Sequence, residues 1–110
     1  MELALILLGK LIIGHFLCDF PLQGDFLSKA KNHHNPIEGV PPLWAMSAHC
    51  AIQAGMVWYL TGFWLLGSLE FVWHMLIDYR KCSGEISFNT DQILHIACKV
   101  FYVLVLINYI

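Results

Sequence analysis

At 110 residues the chain has room for one domain, and 58% of it is apolar while only 13% is charged, against about a quarter in typical soluble proteins. A water-soluble domain of this size exposes much of its surface, so the surplus apolar side chains would lie in patches facing solvent, a problem that lipid removes. Six basic and eight acidic residues, for a net charge of −2, leave no basic stripe and exclude nucleic acid as the main partner.

The N-terminal apolar stretch reads as a retained span rather than a cleaved signal. It opens on Met1-Glu2 instead of a basic region, is interrupted by Lys10, and runs into Phe20-Pro21-Leu22 with no small-residue cleavage site. A hydrocarbon core of about 30 Å takes about 20 helical residues, and four such spans fit. The first runs from about Glu2 to Phe20 and is stopped by Pro21. A polar segment, Gln23 to Pro42, follows, with one short helix around Gly24 to Lys31. Pro41-Pro42 opens the second span, about Leu43 to Leu60. Thr61-Gly62 is the only break before the third, about Phe63 to Arg80, which Arg80-Lys81 and Ser83-Gly84 close. Asn89 or Thr90 caps the fourth, which ends at Ile110. The expected fold is all-α: an integral membrane bundle of four transmembrane helices in a single domain. A re-entrant hairpin made of spans two and three is the open alternative.

Lys29, Lys31, Arg80 and Lys81 fall in the two loops on one side of such a bundle, and no Lys or Arg flanks the spans on the other. The positive-inside rule then puts both loops in the cytoplasm and both termini outside. Trp58, Tyr59, Trp64 and Tyr109 would form the outer aromatic belt, and Trp44 and Tyr79 the inner one.

Measured from the cytoplasmic end at 1.5 Å per residue, the polar residues fall in layers. Asp19, Asp78 and Asp91 lie at the boundary; His15, His49, His74 and His95 lie about one turn deeper; Lys10, Gln53, Glu70 and Lys99 lie near the midplane. His15/Asp19, His74/Asp78 and Asp91/His95 are i, i+4 pairs that share a helix face, and Glu70 and Lys99 extend two of those faces by a turn. Lys10 is five residues from His15, out of register, and is expected against a different neighbour. Intramembrane ionisable groups usually face a bundle interior and are partnered. Imidazoles and carboxylates suit zinc, manganese or iron, so His15, Asp19, His49, His74, Asp78, Asp91 and His95 are the candidate ligands for one or two divalent ions. The rival is a structural His–Asp hydrogen-bond network that locks helix packing. Cys18, Cys50 and Cys98 near these histidines leave a thiolate variant open, although cysteines in apolar helices commonly act as small hydrophobes and no disulfide is expected. His33-His34 in the polar loop reads as a solvated pair.

The run His15-Phe-Leu-Cys-Asp19-Phe20-Pro21-Leu22-Gln23 with Asp25-Phe26 and Lys29, then His49, His74-Met-Leu-Ile-Asp78-Tyr79 and Asp91-Gln92-Ile-Leu-His95, resembles domain-of-unknown-function family 3307. Those are small membrane proteins of bacteria and their phages. More distantly, the arrangement is similar to the YdjM-type membrane-bound metal-dependent hydrolases. The resemblance implies a helical membrane fold and a metal cluster in the bacterial inner membrane, with periplasmic termini on the charge count above. The leading expectation is a metal-dependent hydrolase with its site near the cytoplasmic leaflet, acting on a lipid-linked or amphiphilic phosphate ester. Glu70 is the candidate general base, since a carboxylate in an apolar setting holds a proton more readily, and Lys99 the group that neutralises an anionic substrate. The alternative is a non-enzymatic membrane factor working by helix contact, or a small ion-conducting homo-oligomer.

Overall fold

Five helices carry the chain: α1 (Glu2–Asp19), α2 (Gly24–Ala30), α3 (Pro42–Thr61), α4 (Trp64–Cys82) and α5 (Phe88–Tyr109). The computed structural model describes residues 1–109, with no strand among them, and Ile110, the expected end of the last span, lies outside the described residues.

The breaks follow local chemistry. Pro21 ends α1, and the chain turns by 79° into α2. Pro42 occupies the first turn of α3, where a missing N–H costs nothing, and Gly62 ends it at φ +77°, a left-handed cap that suits glycine. The cap of α5 is not Asn89 or Thr90. Ser87 takes that place, its Oγ accepting the Thr90 backbone N–H at 3.1 Å, because a Ser three residues ahead of Thr90 can satisfy that free amide.

Each long helix buries a stripe at helical spacing: Leu11, Gly14, His15, Cys18 and Asp19 on α1, for example, or Leu66, Gly67, Glu70, His74 and Asp78 on α4. α1 packs against α3 and α5, and α4 against α3 and α5, so the four long helices close a ring, with α2 lying against α3. The result is an elongated bundle, 48 × 23 × 21 Å. Leu11, Val57, Leu66, Tyr102 and Val103 form an apolar core toward the end that holds the α3–α4 turn. The other half of the interior is polar.

That interior is inverted relative to a water-soluble protein. Among the described residues eleven polar or charged side chains are buried against ten apolar ones, while large apolar side chains such as Ile13, Trp44, Leu65 and Ile93 are exposed. Taken one at a time, α5 alone is both long and apolar enough to cross a bilayer, and α1 and α2 qualify together as a bent pair. Four separate crossings are more than the helices individually support. What dilutes α3 and α4 is the polar set His49, Gln53, Glu70, His74 and Asp78, all of which point into the bundle.

Candidate metal centre

The centre is built where the polar ends of the four long helices meet. Asp19 ends α1, His49 lies two turns into α3, and His74 lies two turns before the end of α4. His49 Nε2 is 3.1 Å from Asp19 Oδ1, His74 Nε2 is 3.6 Å from the same oxygen, and the two Nε2 atoms face each other at 3.0 Å. A tetrahedral ion with bonds of about 2.0–2.1 Å holds its ligands about 3.3–3.4 Å apart, so this triangle has the dimensions of a coordination face. All three side chains are buried.

The second side of His74 explains its orientation. Its Nδ1–H donates to Glu70 Oε2 at 3.0 Å, which turns Nε2 toward Asp19 and His49. Carboxylates that fix a histidine in this way are the usual outer partners of metal ligands. Glu70 Oε1 in turn accepts from Lys99 Nζ at 2.8 Å and from Tyr102 OH at 2.8 Å. Both Glu70 oxygens are therefore engaged by donors, and neither is free to take a proton from water. Lys99 pairs with Glu70 across α4 and α5, as their common depth in the sequence requires. Glu70, His74 and His95 make a second group at ligand spacing, although the Lys99 ammonium against Glu70 disfavours a cation there.

His15 and His95 close the other flank. His15 Nε2–H donates to Gln92 Oε1 at 3.0 Å and lies 3.7 Å from Asp19 Oδ2. The Gln92 amide donates to Asp19 Oδ2 at 2.7 Å and to Asp91 Oδ2 at 3.1 Å, bridging two carboxylates. His95 stacks on His74 with ring centroids 3.9 Å apart. Its Nε2 is 3.2 Å from Asp91 Oδ1, within ion-pair reach but out of line for a hydrogen bond, so both ring nitrogens lack a hydrogen-bond partner in a buried position. The sequence-derived ligand set thus converges on one region, but within that set only Asp19, His49 and His74 form a group at ligand spacing.

Asp78 is taken by a residue the sequence placed elsewhere. Lys31 was expected in a solvated cytoplasmic loop, yet it is buried at the end of α2 and its Nζ donates to Asp78 Oδ2. Asp78 Oδ2 also lies 3.5 Å from His49 Nε2, and Asp78 Oδ1 lies 3.3 Å from Lys81 Nζ. His33, expected to be solvated, stacks flat on Tyr79 at 3.9 Å and meets Ser83 Oγ at 2.9 Å, whereas His34 is exposed. The reason is shared: the short α2 lies against α3 and turns residues 31–33 onto the end of α4. Gln53, expected near the midplane, reaches Asp19 Oδ1 at 3.3 Å and belongs to the centre. Lys10 is exposed on the outside of α1. Neither group at ligand spacing contains a cysteine, so no thiolate variant is formed among the described residues.

Charge singles out what the centre lacks. Glu70 is matched by Lys99, and Asp78 by Lys31 and Lys81. Asp19 and Asp91, buried with them, have only histidines within ion-pair distance. Two carboxylates with no lysine or arginine in reach and imidazoles around them have the donor chemistry for one divalent cation.

An all-α bundle with a buried imidazole–carboxylate centre at its polar end is the class of protein that fold and site define. Residues 7–110 match the family described as a protein of unknown function (DUF3307), and the chain belongs to that family. The matched span takes in every residue of the centre. No curated protein and no solved structure matches the chain.

Proposed function

We propose that the protein is a membrane-embedded metal-dependent hydrolase holding one divalent ion at Asp19, His49 and His74. The observation that carries the reading is the pair of buried carboxylates with no lysine or arginine in reach, Asp19 and Asp91, set among four histidines. Bound there, a zinc, manganese or iron ion supplies Lewis acidity and acidifies a coordinated water. The chain's own residues do the rest. Glu70 holds the His74 Nδ1 proton and so keeps Nε2 available as a ligand, while Lys99 and Tyr102 hold Glu70. The proposal therefore gives Glu70 a positioning role in place of the general-base role expected of it. A cavity of about 120 Å³ at the polar end is lined by Lys31, His33, Met46, Met75 and Tyr79, beside the centre and not by its ligands.

The inverted interior supports a four-helix membrane bundle in the bacterial inner membrane, and with it a lipid-linked or amphiphilic phosphate ester as substrate. The second reading, a non-enzymatic membrane factor with a structural network, is favoured by the Gln92 amide, which ties α1 to α5 without any ion.

Metal analysis of detergent-purified protein tests the choice. Wild-type protein should retain about one ion per chain, and His74→Ala should weaken its affinity about tenfold or more, with loss of phosphate-ester hydrolysis. Wild-type protein that remains folded yet metal-free after purification with added zinc, manganese or iron would overturn the reading in favour of the network.

A further inference from the structure

The Lys31 ammonium stands where a second ion would be expected. Asp78 is the one candidate ligand beside the Asp19–His49–His74 triangle that is already matched, its Oδ2 lying 3.5 Å from His49 Nε2 and 4.0 Å from His74 Nε2. Besides Lys81, a half-buried neighbour on the same helix 3.3 Å from Oδ1, it has on Oδ2 a lysine brought across from the end of α2, and both members of that pair are at most 2% exposed. Burying a lysine is costly unless a specific counter-charge awaits it, and this one is delivered with some precision. The chain just beyond it is fastened to α4 by the His33–Tyr79 stack and the His33–Ser83 hydrogen bond. The cavity at the polar end is lined by the same lysine.

We infer that Lys31 is the built-in second cation of a one-metal centre: its ammonium fills the position on Asp78 that a second divalent ion would take, and it offers the second positive contact for a phosphoryl group approaching the first. The inference rests on the metal centre proposed above. In two-metal sites a pair of ions clamps both oxygens of a transferring phosphoryl group. Lys99 neutralises Glu70, and Lys31 with the half-buried Lys81 more than covers Asp78, so a single divalent ion would leave no buried carboxylate to call for a second. A tethered ammonium also presents rotatable donors to anionic oxygens while leaving the metal's own coordination positions open.

Two probes test this on the full-length chain in detergent: manganese(II), read by equilibrium dialysis and electron paramagnetic resonance, and inorganic phosphate, read by calorimetry on the manganese-loaded protein. Wild type should bind about one ion with the spectrum of an isolated centre. Lys31→Met, which frees Asp78 Oδ2 and leaves only Lys81 on Oδ1, should take up a second ion and give the spectrum of an exchange-coupled pair, whereas Lys31→Arg should stay at one. Two ions in wild type, or one ion in a folded Lys31→Met, would overturn the assignment of Lys31. No ion in wild type would overturn the metal centre itself. Because Lys31→Met takes the buried partner from a buried carboxylate and can fail to fold, Lys31→Met/Asp78→Asn is the second variant. It should bind one ion and hold phosphate about tenfold or more weakly than wild type, the loss expected for a charge-assisted contact. Unchanged phosphate affinity in that variant would overturn the inference.

Discussion

Glu70 and Lys99 lie at the junction between the polar and apolar halves of the bundle, and their energetics can be separated from those of the metal. The pair is 1% exposed on each side, with Nζ 2.8 Å from Oε1. Removing one partner of such a pair costs roughly 3–5 kcal/mol, because the other charge is left buried and alone. We expect Glu70→Gln and Lys99→Met each to lower thermal stability sharply, and the double variant to lose much less than their sum, when all are followed in one detergent. Additive losses would mean that the two do not interact. The double variant should also bind the divalent ion more weakly than wild type, since a neutral amide oxygen replaces the carboxylate that holds the His74 Nδ1–H. This pairing was legible in the sequence because spacing alone put both residues on inward faces at one depth. Tyr102 sits three residues past Lys99 and continues the same face, but an aromatic residue on an apolar helix reads as core, which hides its hydroxyl's bond to Glu70. Lys31 and Gln92 were out of reach for different reasons. A loop lysine carries no periodicity to place it, and a glutamine beside an aspartate on a helix gives no sign of which one turns inward or of what it bridges.

Helix spans were read to within a few residues, because proline, glycine and the long apolar runs fix them, but how closely the helices approach was not. Gly67 on α4 shows the difference. A Cβ built there would stand 2.9 Å from the Ala54 carbonyl oxygen and 2.9 Å from Trp58 Cβ, so α3 and α4 pack backbone against backbone at that level. Gly55, one turn from Ala51 on α3, has nothing within 4 Å of the same construction. A sequence cannot distinguish these two glycines, since both sit inside apolar helices. The structure predicts opposite signs on substitution. Gly67→Ala should destabilise the protein by about 1–3 kcal/mol through overpacking, whereas Gly55→Ala should be neutral or stabilise it by up to about 1 kcal/mol through helix propensity. Thermal unfolding of the two variants in the same detergent checks the contrast, and equal effects would argue against the close α3–α4 approach. The missed cap at Ser87 has the same origin: Ser87, Asn89 and Thr90 are all good caps, and choosing among them requires the backbone geometry.

At the scale of the whole molecule, the proposed membrane bundle makes a prediction about orientation, because the side on which the centre opens would decide which substrates reach it. The centre, the loop that carries Lys31 and the α4–α5 turn all lie at one end of the bundle, while Met1, the α3–α4 turn and the end of α5 lie at the other. Lys29, Arg80 and Lys81 flank the first end, and with Lys31 now buried they still outnumber the cations of the second end, which holds none. The positive-inside rule therefore continues to predict a cytoplasmic centre even after one of its four supporting residues is withdrawn. Single cysteines on a cysteine-free background, probed in intact cells with a membrane-impermeant thiol reagent, give the check. Asn35 and Glu85 are exposed at the end that holds the centre, and Phe63 is 43% exposed beside the α3–α4 turn. Phe63 is a better reporter than its neighbour Gly62, whose φ of +77° would strain any side chain placed there. Phe63→Cys should be labelled in intact cells, whereas Asn35→Cys and Glu85→Cys should be labelled only after the membrane is opened. Labelling of Asn35→Cys in intact cells would invert the orientation and put the centre on the periplasmic side. If α3 and α4 form a re-entrant hairpin, Phe63→Cys should resist the reagent from both sides while Asn35→Cys and Glu85→Cys keep their pattern. The bundle would then cross the bilayer fully only through α1 and α5, and the α3–α4 turn would lie within the lipid.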